Sequence, residues 1–101
     1  MSKNQSFSEI IKGDTPVLVD FHADWCGPCK MMAPVIEQFS QEMGEKIRIL
    51  KVDVDRNPKA AATYQIQGVP TFILFKKGNI VWKQAGAVPL HILRQTISSH
   101  L

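Results

Sequence analysis

Hydrophobic and polar residues follow two kinds of pattern along this chain, and segments of the two kinds alternate. Strand-like segments, with a continuous apolar run or a period of two, occupy 16–22, 47–54, 71–76 and 80–84. The first of them is nearly continuous in apolar residues, which is typical of a parallel strand covered on both faces. Lys77-Gly78-Asn79 separates the last two and is a hairpin signal, so these two strands should be antiparallel.

Segments with apolar residues three and four positions apart lie between these strands and predict helices. They cover 6–12, the stretch from Cys26 to Met43, 58–64 with Asn57 as its cap, and a C-terminal helix with Leu90, Leu93, Ile97 and Leu101 on one face. The long helix should end at Gly44 and bend at Pro34, which lies in its interior. Of Met31 and Met32, at least one should pack in the core.

Composition narrows the function classes that this α/β pattern allows. A length of 101 residues suits a single domain, 1–101, that buries roughly 60 to 70% of the surface of its unfolded chain. Twelve Lys and Arg against nine Asp and Glu leave a net charge of +3, but the basic residues are scattered, which argues against a nucleic-acid or membrane-binding patch. Since residues 1–12 contain no apolar signal region, we expect the protein to stay in the cytosol.

The candidate chemistry lies at Trp25-Cys26-Gly27-Pro28-Cys29-Lys30, which follows the first strand and opens the long helix. Cys26 and Cys29 are the two cysteines of the chain, and residues three apart on a helix have Cβ atoms roughly 5 to 6 Å apart, within reach of a disulfide. The unpaired N–H groups and positive dipole of a helix N-terminus stabilise a thiolate, so Cys26, nearer to that end, should be the nucleophile. Pro28 suits a first helical turn, and Gly27 lets another chain approach.

Three other interpretations of the cysteine pair stay open. A structural disulfide is one, although closing a loop of about four residues contributes only roughly 2 kcal/mol. A zinc or iron–sulfur half-site is another, but His22, His91 and His100 have no paired spacing that would complete it. Inert buried thiols would leave the flanking tryptophan, glycine and proline without a purpose. Reversible redox chemistry in a reducing compartment explains the motif best.

Two charged residues interrupt strand-like apolar segments. Asp20 must be hydrogen-bonded, must titrate high because burial disfavours its charge, or must face water at a sheet edge. Lys51 shares a face with Ile47 and Ile49 and could equally be a solvated lysine at the end of a strand. The period of two shows the face of each residue but not its partner.

The motif and several other segments resemble the thioredoxin family. The matching residues stand in the family's order: Val19-Asp20-Phe21, Trp25-Cys26-Gly27-Pro28-Cys29-Lys30, Pro34, Lys51-Val52-Asp53, Gly68-Val69-Pro70-Thr71, Phe75-Lys76-Lys77-Gly78 and Gly86-Ala87. A C-x-x-C motif beside a βαβ pattern is a known signature of the thioredoxin fold, so this association comes from the family and not from the chemistry of these residues. The resemblance implies an α/β thioredoxin fold, a central mixed sheet of four to five strands with helices on both faces. Its first edge strand should be short or absent, because only Met1–Gln5 remain to form it.

The same resemblance implies a thiol–disulfide oxidoreductase, a protein-disulfide reductase of cell redox homeostasis that needs no metal and no bound cofactor. Cys26 and Cys29 would form its redox-active disulfide, with Asp20 as a buried acid that relays a proton beneath Cys29 and Lys51 near it. The Val69–Pro70 bond would be cis and face the disulfide, whereas a trans bond is the ordinary alternative. Substrates would bind in a groove made of Trp25, Gly27, Pro28, Val69, Pro70, Gly86 and Ala87.

The implied partners are disulfide-containing substrate proteins and an NADPH-dependent thioredoxin reductase. The resemblance also implies that the protein is a monomer in the cytoplasm. His22 departs from the family, which commonly carries tryptophan there. It is either a tolerated packing change or an imidazole that alters the pKa of Asp20 or a cysteine. A binding module with incidental redox chemistry and an oxidant or isomerase are the other function classes, although Gly27-Pro28 resembles the reducing members.

Overall fold

The computed structural model describes residues 6–101, in which helices and strands alternate as the hydrophobic pattern predicts. The elements are α1 (Phe7–Ile11), β1 (Val17–His22), α2 (Gly27–Met43), β2 (Arg48–Asp53), α3 (Pro58–Thr63), β3 (Thr71–Lys76), β4 (Asn79–Ala85) and α4 (Leu90–Ser98). The prediction about a first edge strand concerns Met1–Gln5 and lies outside the described residues.

The strands within residues 6–101 form one mixed sheet in the order β2-β1-β3-β4. The β1 and β2 strands are parallel, whereas β3 is antiparallel to both β1 and β4. The hairpin between β3 and β4 turns at Lys77 and Gly78, which have φ angles of 52° and 85°. Because β1 lies inside the sheet with a neighbour on each side, a polar residue on it cannot reach water at a sheet edge.

A hydrophobic cluster lies on each face of the sheet, because successive strand residues point to opposite faces. Leu18 and Leu74 pack with Phe39 of α2 and Leu93 of α4 in one cluster. The other cluster joins β1, β2 and β3 to the helices of the opposite face: Ile11, Val17, Val19, Phe21, Val52, Ile73 and Phe75, with Phe7, Ala60 and Tyr64 packed against them. Helices on both faces of a mixed sheet confirm the expected α/β fold class.

The long helix α2 is the element that carries the cysteine pair. Cys26 caps its N-terminus, and Gly44, whose φ of 55° is in the region that favours glycine, caps its C-terminus. Pro34 lies inside it, and the bend there stays a prediction. Met32 is 4% exposed and Met31 is 76% exposed, which confirms that at least one of them packs in the core.

Two local predictions need correction. Asn57 is at the cap position of α3, but its amide donates a hydrogen bond to the Asp53 carbonyl at 3.0 Å instead of accepting one from the helix. Leu101 is predicted to share a helical face with Leu90, Leu93 and Ile97, but it lies beyond the end of α4 and is 49% exposed. Since α4 ends at Ser98, helical spacing no longer fixes the direction of a side chain three residues later. Within residues 6–101, no helix is long and apolar enough to cross a membrane.

Candidate active site

The two cysteines form a disulfide at the start of α2, with their Cα atoms 5.3 Å apart. Cys26 is the cap residue and has extended backbone angles, φ −92° and ψ 111°. Its Sγ accepts a hydrogen bond from the Cys29 N–H at 3.1 Å, so the sulfur occupies the place that a capping oxygen usually takes. The first turn of the helix therefore directs an N–H donor and the positive end of the dipole at the Cys26 sulfur.

The loop before β3 covers one side of the disulfide. The Val69–Pro70 bond is cis, as the resemblance implied. The Cys26 Sγ lies 3.5 Å from the Val69 carbonyl oxygen, and Cys26 is 3% exposed while Cys29 is half-buried. The family resemblance implied that this bond faces the disulfide, whereas local sequence pattern could not show it, because the covering loop lies 43 positions further along the chain.

The first turn of α2 is open on its outer side. Gly27 and Pro28 are exposed, and a Cβ built at Gly27 would meet nothing within 4 Å. Trp25 is 70% exposed, and its indole Nε1–H donates to Asp55 Oδ2 at 2.8 Å. This hydrogen bond holds one edge of a large apolar ring in place while its face stays in solvent.

The remaining groove residues reach the disulfide through the loop before β3. The Gly86 N–H donates to the Pro70 carbonyl at 2.8 Å, which ties the end of β4 to the loop that contacts Cys26. Gly86 and Ala87 are exposed, whereas the Pro70 side chain is buried. Val69 and Trp25 also line a small cavity of about 100 Å³ together with Val54, Ile66, Gln67 and Gly68. The structure thus places Val69 against Cys26 and joins Gly86 to the same loop, while the groove itself stays a prediction.

A second surface feature lies on the other side of the disulfide. It is a cleft of about 450 Å³, lined by Asp20, His22, Ala23, Asp24, Cys29, Lys30, Ala33 and Lys51. Asp20 and Lys51 are direct partners in the register between β1 and β2. The two charged residues whose partners the sequence could not show therefore share one cleft with Cys29.

Asp20 is buried at the centre of the sheet. It is 5% exposed and lies on the inner strand β1, so the alternative of an edge aspartate is wrong. Among the described residues, its Oδ1 has no hydrogen-bond partner. Burial raises the pKa of Asp20 above the ordinary aspartate value, while the charges of His22 and then Lys51 act to lower it. Asp20 therefore keeps its proton to a higher pH than an exposed aspartate does.

His22 belongs to a polar cluster at the mouth of the cleft. It is the register partner of Asp53, and ligand-type atoms of His22, Asp24 and Asp53 all lie within 4.8 Å of one another. Asp53 Oδ1 accepts the N–H of Asp55 at 2.8 Å, and the Arg56 guanidinium lies 4.0 Å from Asp24 and 3.9 Å from Asp53. Arg56 thus supplies positive charge to both carboxylates, and we assign the cluster as an ion-pairing network.

Sequence reasoning missed this network. Its members come from β1, β2 and two loops, and no spacing along the chain signals that they meet. The zinc half-site interpretation gains nothing from it, because neither cysteine contributes to the cluster.

Comparison with known proteins places this site in a family. The family model described as "Thioredoxin" matches residues 1–99. The chain belongs to the thioredoxin family. Thioredoxin of Bacillus subtilis is 46% identical over 99 residues, which cover 97% of this chain and 93% of that protein. "Thioredoxin 1" of a Nostoc species is 47% identical over 93 residues, 92% of this chain and 87% of the relative.

A plant relative, "Thioredoxin Y, chloroplastic" of rice, is 44% identical over 97 residues, 95% of this chain and 58% of that protein. Family membership together with the cysteine pair at the start of α2 makes this thioredoxin-family protein a thiol–disulfide oxidoreductase. Its function is protein-disulfide reduction.

Proposed function

We propose that this chain acts as one domain, 1–101, that transfers electrons from an NADPH-dependent thioredoxin reductase to the disulfides of cytoplasmic proteins. The observation that carries the mechanism is the capping of α2 by the Cys26 sulfur, which receives the Cys29 N–H at 3.1 Å. A helix N-terminus favours a thiolate over a thiol at that place, and the thiolate is the form that attacks disulfides.

In the first step, the Cys26 thiolate attacks one sulfur of a substrate disulfide in line. The substrate S–S bond breaks, its second sulfur leaves as a thiolate, and a mixed disulfide joins Cys26 to the substrate. The position of Cys26 as the helix cap supports its role as the nucleophile.

In the second step, Cys29 loses its proton and attacks the Cys26 sulfur. This restores the Cys26–Cys29 disulfide and releases, as a thiolate, the substrate sulfur that was bonded to Cys26, so that two electrons pass from the dithiol to the substrate. Asp20 is the general base for Cys29, and Lys51 is the charge that tunes it. The common cleft and the raised pKa of Asp20 support this assignment, since a base works best with a pKa close to the working pH.

The substrate segment lies across the groove beside Cys26. Exposed Trp25, Gly27 and Pro28 on one side, and exposed Gly86 and Ala87 on the other, leave room for an extended chain. Main-chain hydrogen bonds to the backbone of Val69, the residue before the cis Pro70, hold it, a mode that tolerates many sequences. Such a groove suits a reductant that serves many protein substrates.

The exchange needs no metal and no bound cofactor, because the electrons and the bonds that change all belong to sulfur atoms. A reducing compartment is required, since a C-x-x-C pair that cycles must be reduced again after each turnover. We assign the protein to the cytoplasm as a monomer, while the name of the rice relative shows that the family also includes a chloroplastic member.

The test is a redox equilibrium titration that follows Trp25 fluorescence, in a Trp82→Phe background so that one tryptophan reports. We expect a potential near or below the cytosolic glutathione poise, about −220 mV or more reducing. A reductase-coupled insulin assay should then show turnover that a Cys26→Ser, Cys29→Ser double variant lacks. A markedly more oxidising potential would support an oxidant or isomerase, and the lack of any reversible transition would support a binding module.

A further inference from the structure

The cleft behind Cys29 contains an imidazole that the proposed mechanism does not use. His22 follows Asp20 by two positions on β1, so both side chains project from the same face of the strand. Both line the 450 Å³ cleft that also reaches Cys29. The backbone thus places His22 next to Asp20 along one face of β1, in the lining of the same cleft.

Charged and titratable groups from several elements surround His22. They are Asp20 on β1, Asp24 in the following loop, Cys29 and Lys30 on α2, and Lys51 and Asp53 on β2. Arg56 is paired with the carboxylates of Asp24 and Asp53. Asp24 and Asp53 each place a carboxylate oxygen within 4.8 Å of a ring nitrogen of His22. On the inner side, the charge of His22 lowers the pKa of Asp20 and does so ahead of Lys51.

The charge of His22 depends on pH, because imidazole is the side chain whose charge ordinarily changes between pH 5 and 8. A proton gained by the ring introduces a positive charge in the cleft that opposes the uptake of a proton by Asp20. An uncharged residue at position 22 offers no such opposition.

We propose that His22 is a positioning residue for the proton transfer at Cys29: its protonated ring keeps Asp20 ionised in weakly acidic solution, so that Cys29 still resolves the mixed disulfide there. The proposal rests on the proposed function, in which Asp20 is the base for Cys29. It assigns to this chain a device that a tryptophan at position 22 would not supply.

The experiment compares His22→Asn, which removes the charge, and His22→Trp, which replaces the ring with the aromatic residue common in the family. His91→Asn is the matched control, because His91 is exposed on α4 and outside the cleft. Single-turnover reduction of a disulfide peptide by the reduced protein is followed from pH 5.5 to 8.5 by acid quenching and chromatography of the released peptide thiol, because the tryptophan added in His22→Trp would disturb a fluorescence signal from Trp25. All solutions contain a chelator, so that adventitious metal ions do not occupy the carboxylates.

We expect both His22 variants to react about three- to tenfold more slowly than the unsubstituted protein at pH 6 and at nearly the same rate at pH 8.5. Carboxyl NMR of Asp20 should show its titration midpoint moving to higher pH in both variants, with no change in His91→Asn. A His22→Lys variant, which keeps a positive charge, should restore the rate at pH 6.

Coincident pH profiles of the unsubstituted protein and the two uncharged variants would overturn the proposal. A rate loss of equal size at every pH would also overturn it, because that is the signature of a packing defect. Failure of the general-base assignment is a separate outcome: Asp20→Asn would then keep full activity, while the NMR titration would still report whether the His22 charge acts on Asp20.

Discussion

The disulfide separates two unlike regions of this protein. On the Cys29 side, the cleft contains the charged or titratable residues Asp20, His22 and Lys51. On the Cys26 side, the groove of Trp25, Gly27, Pro28, Val69, Pro70, Gly86 and Ala87 contains no ionisable side chain. The first turn of α2 places one sulfur toward each region. In the proposed mechanism, proton transfer and substrate binding therefore depend on different residues, and substitutions in the two regions should change different kinetic constants.

The largest effect is expected at the disulfide, where the regions meet. Cys29→Ser should reduce turnover to the background rate while a mixed disulfide on Cys26 accumulates, because the first attack remains possible and the second lacks its nucleophile. Intact-protein mass spectrometry after reaction with a disulfide peptide measures the adduct. Cys26→Ser is the matched control and should form none. An adduct on Cys29 in that control would reverse the assigned roles. This outcome must be tested because Cys29 is the more exposed cysteine in the disulfide form.

A smaller effect is expected from the base in the cleft. Asp20→Asn should slow the resolution step at neutral pH by about 10²-fold, the low end of general acid–base contributions, and leave KM nearly unchanged. The pH dependence of the reductase-coupled insulin assay measures both constants. Asp14→Asn, a change of the same kind at an exposed residue outside the cleft, should have no effect. Unchanged turnover in Asp20→Asn would remove Asp20 from the mechanism.

The same substitution should stabilise the protein. Asp20 has a raised pKa in the folded state, so between the unfolded and folded pKa values the native protein holds a proton that the unfolded chain has lost. Its free energy of unfolding therefore falls as pH rises through this window, and the penalty is complete above the folded pKa. Asp20→Asn should raise the free energy of unfolding at neutral pH by about 1 to 3 kcal/mol, a gain that shrinks in acid.

Urea denaturation of the oxidised protein at a series of pH values tests this gain, with Asp14→Asn as the control. If Asp20→Asn raised the free energy of unfolding equally at pH 4 and pH 8, the buried charge of Asp20 could not be the cause of the gain. A loss of stability at neutral pH would show that the carboxylate is satisfied by groups other than those in the cleft.

The smallest effect is expected in the groove. Ala87→Asp should raise KM for protein substrates about fivefold, the equivalent of about 1 kcal/mol, because it introduces a charge into the apolar groove that we propose binds the substrate segment. The shape of the pH profile should not change. Ala62→Asp, at an exposed alanine on α3, is the matched control. A changed pH profile with constant KM in Ala87→Asp would mean that the two regions are not separate.

The sequence alone determined the parts of this protein that depend on neighbours along the chain. Periods of two and of three to four residues predicted the four strands and the helices α1, α2 and α4 that the structure describes, since these periods decide which side chains an element can bury. They did not predict the short 3₁₀ helix Gly44–Lys46 that follows α2. The spacing of Cys26 and Cys29 likewise predicted a disulfide at a helix start. The cis Val69–Pro70 bond followed only from the family resemblance, because local preference favours trans.

Tertiary structure alone decided what surrounds each sulfur. The opposition of Asp20 to Lys51 and of His22 to Asp53 depends on the register between β1 and β2, which no local pattern states. The cover of Cys26 by Val69 depends on a loop 43 positions away, and the exposure of Leu101 depends on where α4 stops packing. Local periodicity fixes the face that a residue occupies, whereas its burial, partner and charge environment arise only when distant segments pack together.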